Sequence, residues 1–135
     1  MKDRKMKIVI DTSVIISVVT NEKHKQALIK ITKETSLIAP ESLHFEVGNA
    51  FSAMFKRGRI TIDLALKAIH YYEKIPIQFI SIDLGKSLQI ADRLHIYAYD
   101  AYFIECAERN RSPLLSIDEG LIIAAKKYGL KIIEV

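Results

Sequence analysis

The sequence predicts an α/β domain with a mainly parallel sheet, on three observations. Apolar runs of strand length alternate with longer segments of helical period. Turn and capping residues stand at the joints between them. The chain has 135 residues, 50% of them hydrophobic and 27% charged, the size and balance of one globular domain spanning residues 1–135.

The elements follow in order. A first strand over Lys7 to Ile10 leads into helical segments at Thr12 to Thr20 and Lys23 to Thr35, and Ser36 to Ala39 forms the next strand. Pro40 precedes a helix over Glu41 to Lys56, in which Leu43, Val47, Ala50 and Met54 make one apolar stripe. Gly58 follows its end, and Thr61 is placed to cap a helix over Ile62 to Glu73. A strand at Gln78 to Ile82 is followed by helices at Gly85 to Leu94 and Ala101 to Asn110. Pro113 then precedes a strand at Leu114 to Ile117, a helix at Glu119 to Lys127 and a last strand at Lys131 to Glu134. No internal repeat, linker or low-complexity segment interrupts the series.

Several function classes are excluded at once. A single cysteine, Cys106, rules out an internal disulfide scaffold or a Cys-rich zinc site, and the four histidines have no zinc-ligand spacing. No stretch approaches the roughly 20 apolar residues that span a bilayer. The basic stretch from Lys2 to Lys7 looks like the start of a secretory signal, but Asp11 interrupts the apolar run behind it and no Ala-x-Ala site follows. The expectation is an unexported, cytoplasmic protein with no membrane partner. A net charge of +4 favours an anionic partner, and Lys56, Arg57 and Arg59 form one of the basic groups that could meet it.

In a parallel sheet, ligands gather beyond the carboxyl ends of the strands. Asp11 and Asp118 each end a predicted strand there, and Asp100 opens the apolar stripe of Phe103, Ile104 and Ala107. Glu46 lies at the edge of its helix's apolar stripe, with Asn49 one turn on to orient it. Each acid alone has a structural reading as a helix cap, a dipole partner or a snorkelling side chain. Other acids, namely Glu41, Asp83, Asp92, Glu105 and Glu119, could be exposed or capping, but Glu119 adjoins Asp118 and Glu41 is near Glu46, and the sequence alone does not choose between such neighbours. Clustered carboxylates raise one another's pKa unless a cation sits among them, so the four together predict a metal. An oxygen-only ligand set favours Mg²⁺ or Mn²⁺ over zinc.

The order and setting of these acids resemble the PIN-domain ribonucleases, most closely VapC-type toxins of toxin–antitoxin pairs. The motifs that carry the resemblance run through Asp11 in Ile-Val-Ile-Asp-Thr-Ser, Glu46 in Glu-Val-Gly-Asn-Ala, Asp100 in Tyr-Asp-Ala-Tyr-Phe-Ile-Glu-Cys-Ala and Asp118 in Leu-Leu-Ser-Ile-Asp. The resemblance implies a three-layer α/β/α sandwich around a sheet of four or five strands, often dimeric. It implies that Asp11, Glu46, Asp100 and Asp118 form an acidic Mg²⁺ or Mn²⁺ pocket supported by Thr12 or Ser13, in an endoribonuclease with an antitoxin partner. Ser116 stands where many relatives carry Thr, which keeps a hydroxyl, and Phe103 replaces a common Tyr, which loses one.

Four other readings compete. A phosphoaspartyl phosphatase would need a second Asp two positions after Asp11, where Ser13 stands, and a receiver domain would need an acidic pair after the first strand. An inactive α/β binding module that keeps the acids for structure, and a PIN nuclease of RNA processing, both fit the residues.

Overall fold

The computed structural model describes residues 5–133. It has five strands, β1 (Met6–Ile10), β2 (Thr35–Pro40), β3 (Ile77–Ile80), β4 (Leu114–Leu115) and β5 (Ile132–Ile133). Seven helices connect them: α1 (Thr12–Thr20), α2 (Glu22–Thr32), α3 (Ser42–Lys56), α4 (Ile62–Glu73), α5 (Leu84–Leu94), α6 (Ala98–Arg109) and α7 (Glu119–Tyr128). The strands form one sheet in the order β3-β2-β1-β4-β5, and every pairing is parallel. The helices pack in two groups, with α1 against α2, α3 and α4, and α5, α6 and α7 against one another, giving the expected α/β sandwich.

The central strands read as continuous apolar runs because both faces are covered. Ile8, Val9 and Ile10 of β1, and Leu37 to Pro40 of β2, are all buried. Pairing of Lys7 with Ser36 and of Ile10 with Leu115 fixes β1 between β2 and β4. The chain runs outward from β1 through β2 to β3, then returns to the other side of β1 for β4 and β5. The order therefore reverses between β1 and β4, and their carboxyl ends border the crevice where such sheets bind ligands.

Most boundaries fall within a residue or two of those expected, and the larger differences have local causes. α6 starts at Ala98 rather than Ala101: Tyr97 is its N-cap without any side-chain cap bond, so no capping residue marks the start. β4 ends at Leu115 because Ser116 and Ile117 turn away to bond Asp11 and Ser13. β3 ends at Ile80, and the Ser81 carbonyl accepts from Arg109 instead of a strand. Thr61 caps α4 through Leu64 N–H, as its position predicts. Gly58, with φ of +68°, turns the chain out of α3 in a conformation that disfavours other residues. The end of the strand expected through Glu134 lies outside the described residues.

Candidate acidic active site

Asp11 follows β1 and is 3% exposed. Its Oδ1 accepts from Ser13 Oγ at 2.8 Å and from Val14 N–H at 3.2 Å, and its Oδ2 accepts from Ser116 Oγ at 2.6 Å. The residue thus caps α1 and faces the end of β4 at the same time. Ser116 Oγ also accepts from Asp118 N–H at 3.0 Å, so one hydroxyl ties the two strand ends together. Asp118 caps α7 through Leu121 N–H at 3.1 Å. The capping roles foreseen for both residues are realised, and each still presents its carboxylate at the crevice between β1 and β4.

Glu46 sits half-buried one turn into α3. Thr12 Oγ1 donates to its Oε1 at 3.2 Å, joining the first turn of α1 to α3. Its other oxygen, Oε2, is buried with no hydrogen-bond partner among the described residues. The Ser42 hydroxyl, one turn earlier on the same helix, lies close enough to favour the carboxylate's charge but outside hydrogen-bond geometry, and it too is buried and unpaired. Burial, opposed by Ser42 and Thr12 and reinforced by the charges of Asp100 and Asp11, pushes Glu46 up to about 7. Ser42 went unnoticed in the sequence, although its i, i+4 spacing to Glu46 marks the pair as neighbours on one helix face.

Asp100 lies in the first turn of α6, half-buried, and nothing among the described residues donates a hydrogen bond to its carboxylate. Burial first and the charge of Asp118 second raise its pKa, and burial with the nearby Asp118 also raises that of Asp11. All four acids therefore share one electrostatic neighbourhood. No lysine or arginine pairs with any of them among the described residues. They do not form a closed cage as they stand: no three ligating side chains among the described residues converge on one point. The donor set nevertheless suits a hard divalent cation, with oxygen ligands only, an orphaned buried carboxylate oxygen and unbalanced negative charge.

Other expected site residues fall elsewhere. Asn49 is exposed and makes no bond to Glu46, but it lines a cavity beside it. Lys56, Arg57 and Arg59 are exposed at the far end of α3, with Lys56 ten residues or about 15 Å along the axis from Glu46. Glu105 is the acid whose expected exposure is overturned: it is 2% exposed and paired with Arg109 at 2.6 Å.

A parallel sheet that gathers four acids at its reversal point defines an acid-pocket α/β protein. Residues 8–127 match the PIN domain family, and the chain belongs to it. PIN domains are generally nucleases, which makes the chain's class that of a hydrolase, and they generally use divalent metal ions. No curated protein matches it by sequence. Among solved structures, PAE2754 from Pyrobaculum aerophilum is similar at 20% identity and a TM-score of 0.76, over 96% of this chain and 84% of that one. VapBC2 from Rickettsia felis, bound to a DNA fragment from its promoter, is similar at 12% identity and a TM-score of 0.68, over 96% and 98%. A toxin–antitoxin complex from Klebsiella pneumoniae is similar at 15% identity and a TM-score of 0.53, over 81% and 84%. These likenesses are of fold. Among the described residues no helix is long and apolar enough to cross a membrane.

Proposed function

We propose that the protein is a metal-dependent endoribonuclease and the toxin of a type II toxin–antitoxin pair. The observation that carries the nuclease reading is the uncompensated acid cluster at the sheet's reversal point, above all the buried, unpartnered Glu46 Oε2. Asp11 and Asp100 are the central ligands for Mg²⁺ or Mn²⁺, with Glu46 and Asp118 completing the set. The ion, when bound, polarises a phosphodiester and lowers the pKa of water. Ser13 and Ser116 hold the Asp11 carboxylate in one orientation, and Thr12 does the same for Glu46. Glu46, held through Oε1 by Thr12 and with Oε2 unpartnered, is placed either to complete the ligand set or to take the proton of an attacking water.

The toxin reading draws support from the likeness in fold to two toxin–antitoxin proteins. Exposed Leu84 and Leu88, one turn apart on α5, suit a homodimer contact. Lys56, Arg57 and Arg59 would hold RNA backbone away from the cleavage point.

The test is cleavage of labelled structured and single-stranded RNAs with Mg²⁺, Mn²⁺ or EDTA, alongside Asp11→Asn and Asp100→Asn. Cleavage that needs metal and is lost in both folded variants is the expected result. Equal activity in all three proteins would place the chemistry elsewhere, and inactivity of all three on a broad RNA panel would favour the binding-module reading.

A further inference from the structure

The mouth of the acid pocket carries two aromatic side chains that the chemistry of the four acids does not use. A cavity of about 280 Å³ opens beside Glu46, lined by Thr12, Phe45, Glu46, Asn49, Ala50 and Tyr99. Phe45 on α3 is 73% exposed and Tyr99 on α6 is 57% exposed. Each ring has an aromatic neighbour in edge-to-face contact. Phe45 packs edge-on against His44 with centroids 5.9 Å apart, and His44 is stacked on Tyr72 and bonded to its hydroxyl at 3.0 Å. Tyr99 packs edge-on against Tyr102 with centroids 5.7 Å apart. Rings held in this way lose little freedom when a flat ligand enters.

We infer that this cavity is a nucleobase subsite, in which one unpaired base of the RNA stacks on Phe45 and Tyr99 while its backbone passes the acids. The inference rests on the nuclease reading above and goes beyond it in naming the two side chains, Phe45 and Tyr99, that hold a base beside the cleavage point. The cavity shares Thr12 and Glu46 with the acid pocket, so whatever fills it is continuous with a strand lying across that pocket. Its lining pairs two aromatic rings with the Asn49 amide, which offers both donors and an acceptor, matching the two kinds of surface a base presents. Only a base freed from its own stack can use such a platform, which is why duplex is excluded.

The test uses the Asp100→Asn protein, so that the RNA stays intact, and single-stranded oligoribonucleotides carrying 2-aminopurine at successive positions. Stacking on the rings should quench the fluorescence at one position. Added as second changes, Phe45→Ala and Tyr99→Ala should each weaken binding about 5- to 100-fold and abolish that quench. Tyr99→Phe should retain both, and Leu66→Ala on exposed α4 should change neither. The inference fails if no position is quenched, or if both alanine variants bind and quench as the parent does. It also fails if those variants only dissociate a dimer in sedimentation while RNA affinity holds, which would assign the rings to a subunit contact. Wild-type cleavage is followed in parallel: stacking without cleavage would remove the nuclease reading and keep the subsite, and cleavage without stacking would do the reverse.

Discussion

Glu105 and Asp11 are almost equally buried, at 2% and 3% exposed, yet they are satisfied by different groups. Glu105 receives the Arg109 guanidinium at 2.6 and 3.1 Å and the Asp83 N–H at 3.2 Å. Its charge is cancelled within one turn of α6, and the pair pins that helix to the segment before α5 through the Ser81 carbonyl. Asp11 receives two hydroxyls and one amide, and its charged neighbours Asp118 and Glu46 are acids. A buried carboxylate with a cation is a strut. A group of carboxylates without one keeps its desolvation cost uncompensated until a proton or a cation from outside neutralises it.

The contrast breaks most sharply on activity. Asp11→Asn or Asp100→Asn should lower RNA cleavage about 10³-fold or more, since several kcal/mol of charge stabilisation are at stake, with no loss of folding stability. Glu105→Gln should leave cleavage per folded molecule near the wild-type rate. A matched set of single-turnover rates and thermal melts measures both sides.

Next in size is the strut itself. Arg109→Ala leaves Glu105 charged and buried, and should cost about 3 kcal/mol in urea unfolding. Glu105→Gln should cost less, because Arg109 is 42% exposed and can turn to water. The reverse order would mean that Arg109, not Glu105, is the buried partner in energetic terms.

The pH dependence sharpens the comparison further. Glu46 is held at about 7 in the folded chain against 4.5 when unfolded, so the folded state binds more protons between these values. Metal-free protein should lose stability as pH rises from about 4.5 through about 7. Asp11 and Asp100 are shifted the same way and add to the slope. Glu46→Gln should flatten the profile without abolishing it, and saturating Mn²⁺ should restore stability at the upper end. Melting temperatures across that window, with and without metal, test the sign.

The smallest effect concerns binding at a distance. Replacing Lys56, Arg57 and Arg59 together by alanine should weaken RNA affinity and reduce the slope of log K against log salt by about 2, at roughly 0.7 per phosphate contact. An unchanged slope would leave these residues as partners of the α3 dipole alone.

Much of this division was legible in the sequence. Apolar runs that stop at Asp11 and Asp118 mark strand ends facing a crevice, because a parallel strand buried on both faces tolerates no charge until it leaves the sheet. Glu46 stood out at the edge of an apolar stripe. Asp100 was visible as the head of a buried stripe and as an N-cap or first-turn acid, but the start of α6 at Ala98 was not, since Tyr97 begins the helix without a capping side chain. Glu105 was hidden by the opposite effect. It sits among Phe103, Ile104, Cys106 and Ala107, all buried, so α6 has no polar face there to reveal a charge turned inward. The one available signal was Arg109 at i+4, the spacing of a helical ion pair. The sequence could not show Asn49 facing the aromatic cavity instead of Glu46, because that depends on how α3 and α6 meet.

The claim that uncompensated acids form the cation site is tested most directly by calorimetric titration of Mn²⁺ into the wild type, Asp100→Asn and Glu105→Gln, each confirmed folded by circular dichroism. Binding to the wild type and to Glu105→Gln, weakened at least tenfold in Asp100→Asn, is the predicted result. Equal binding by all three proteins, or none by the wild type, would contradict it.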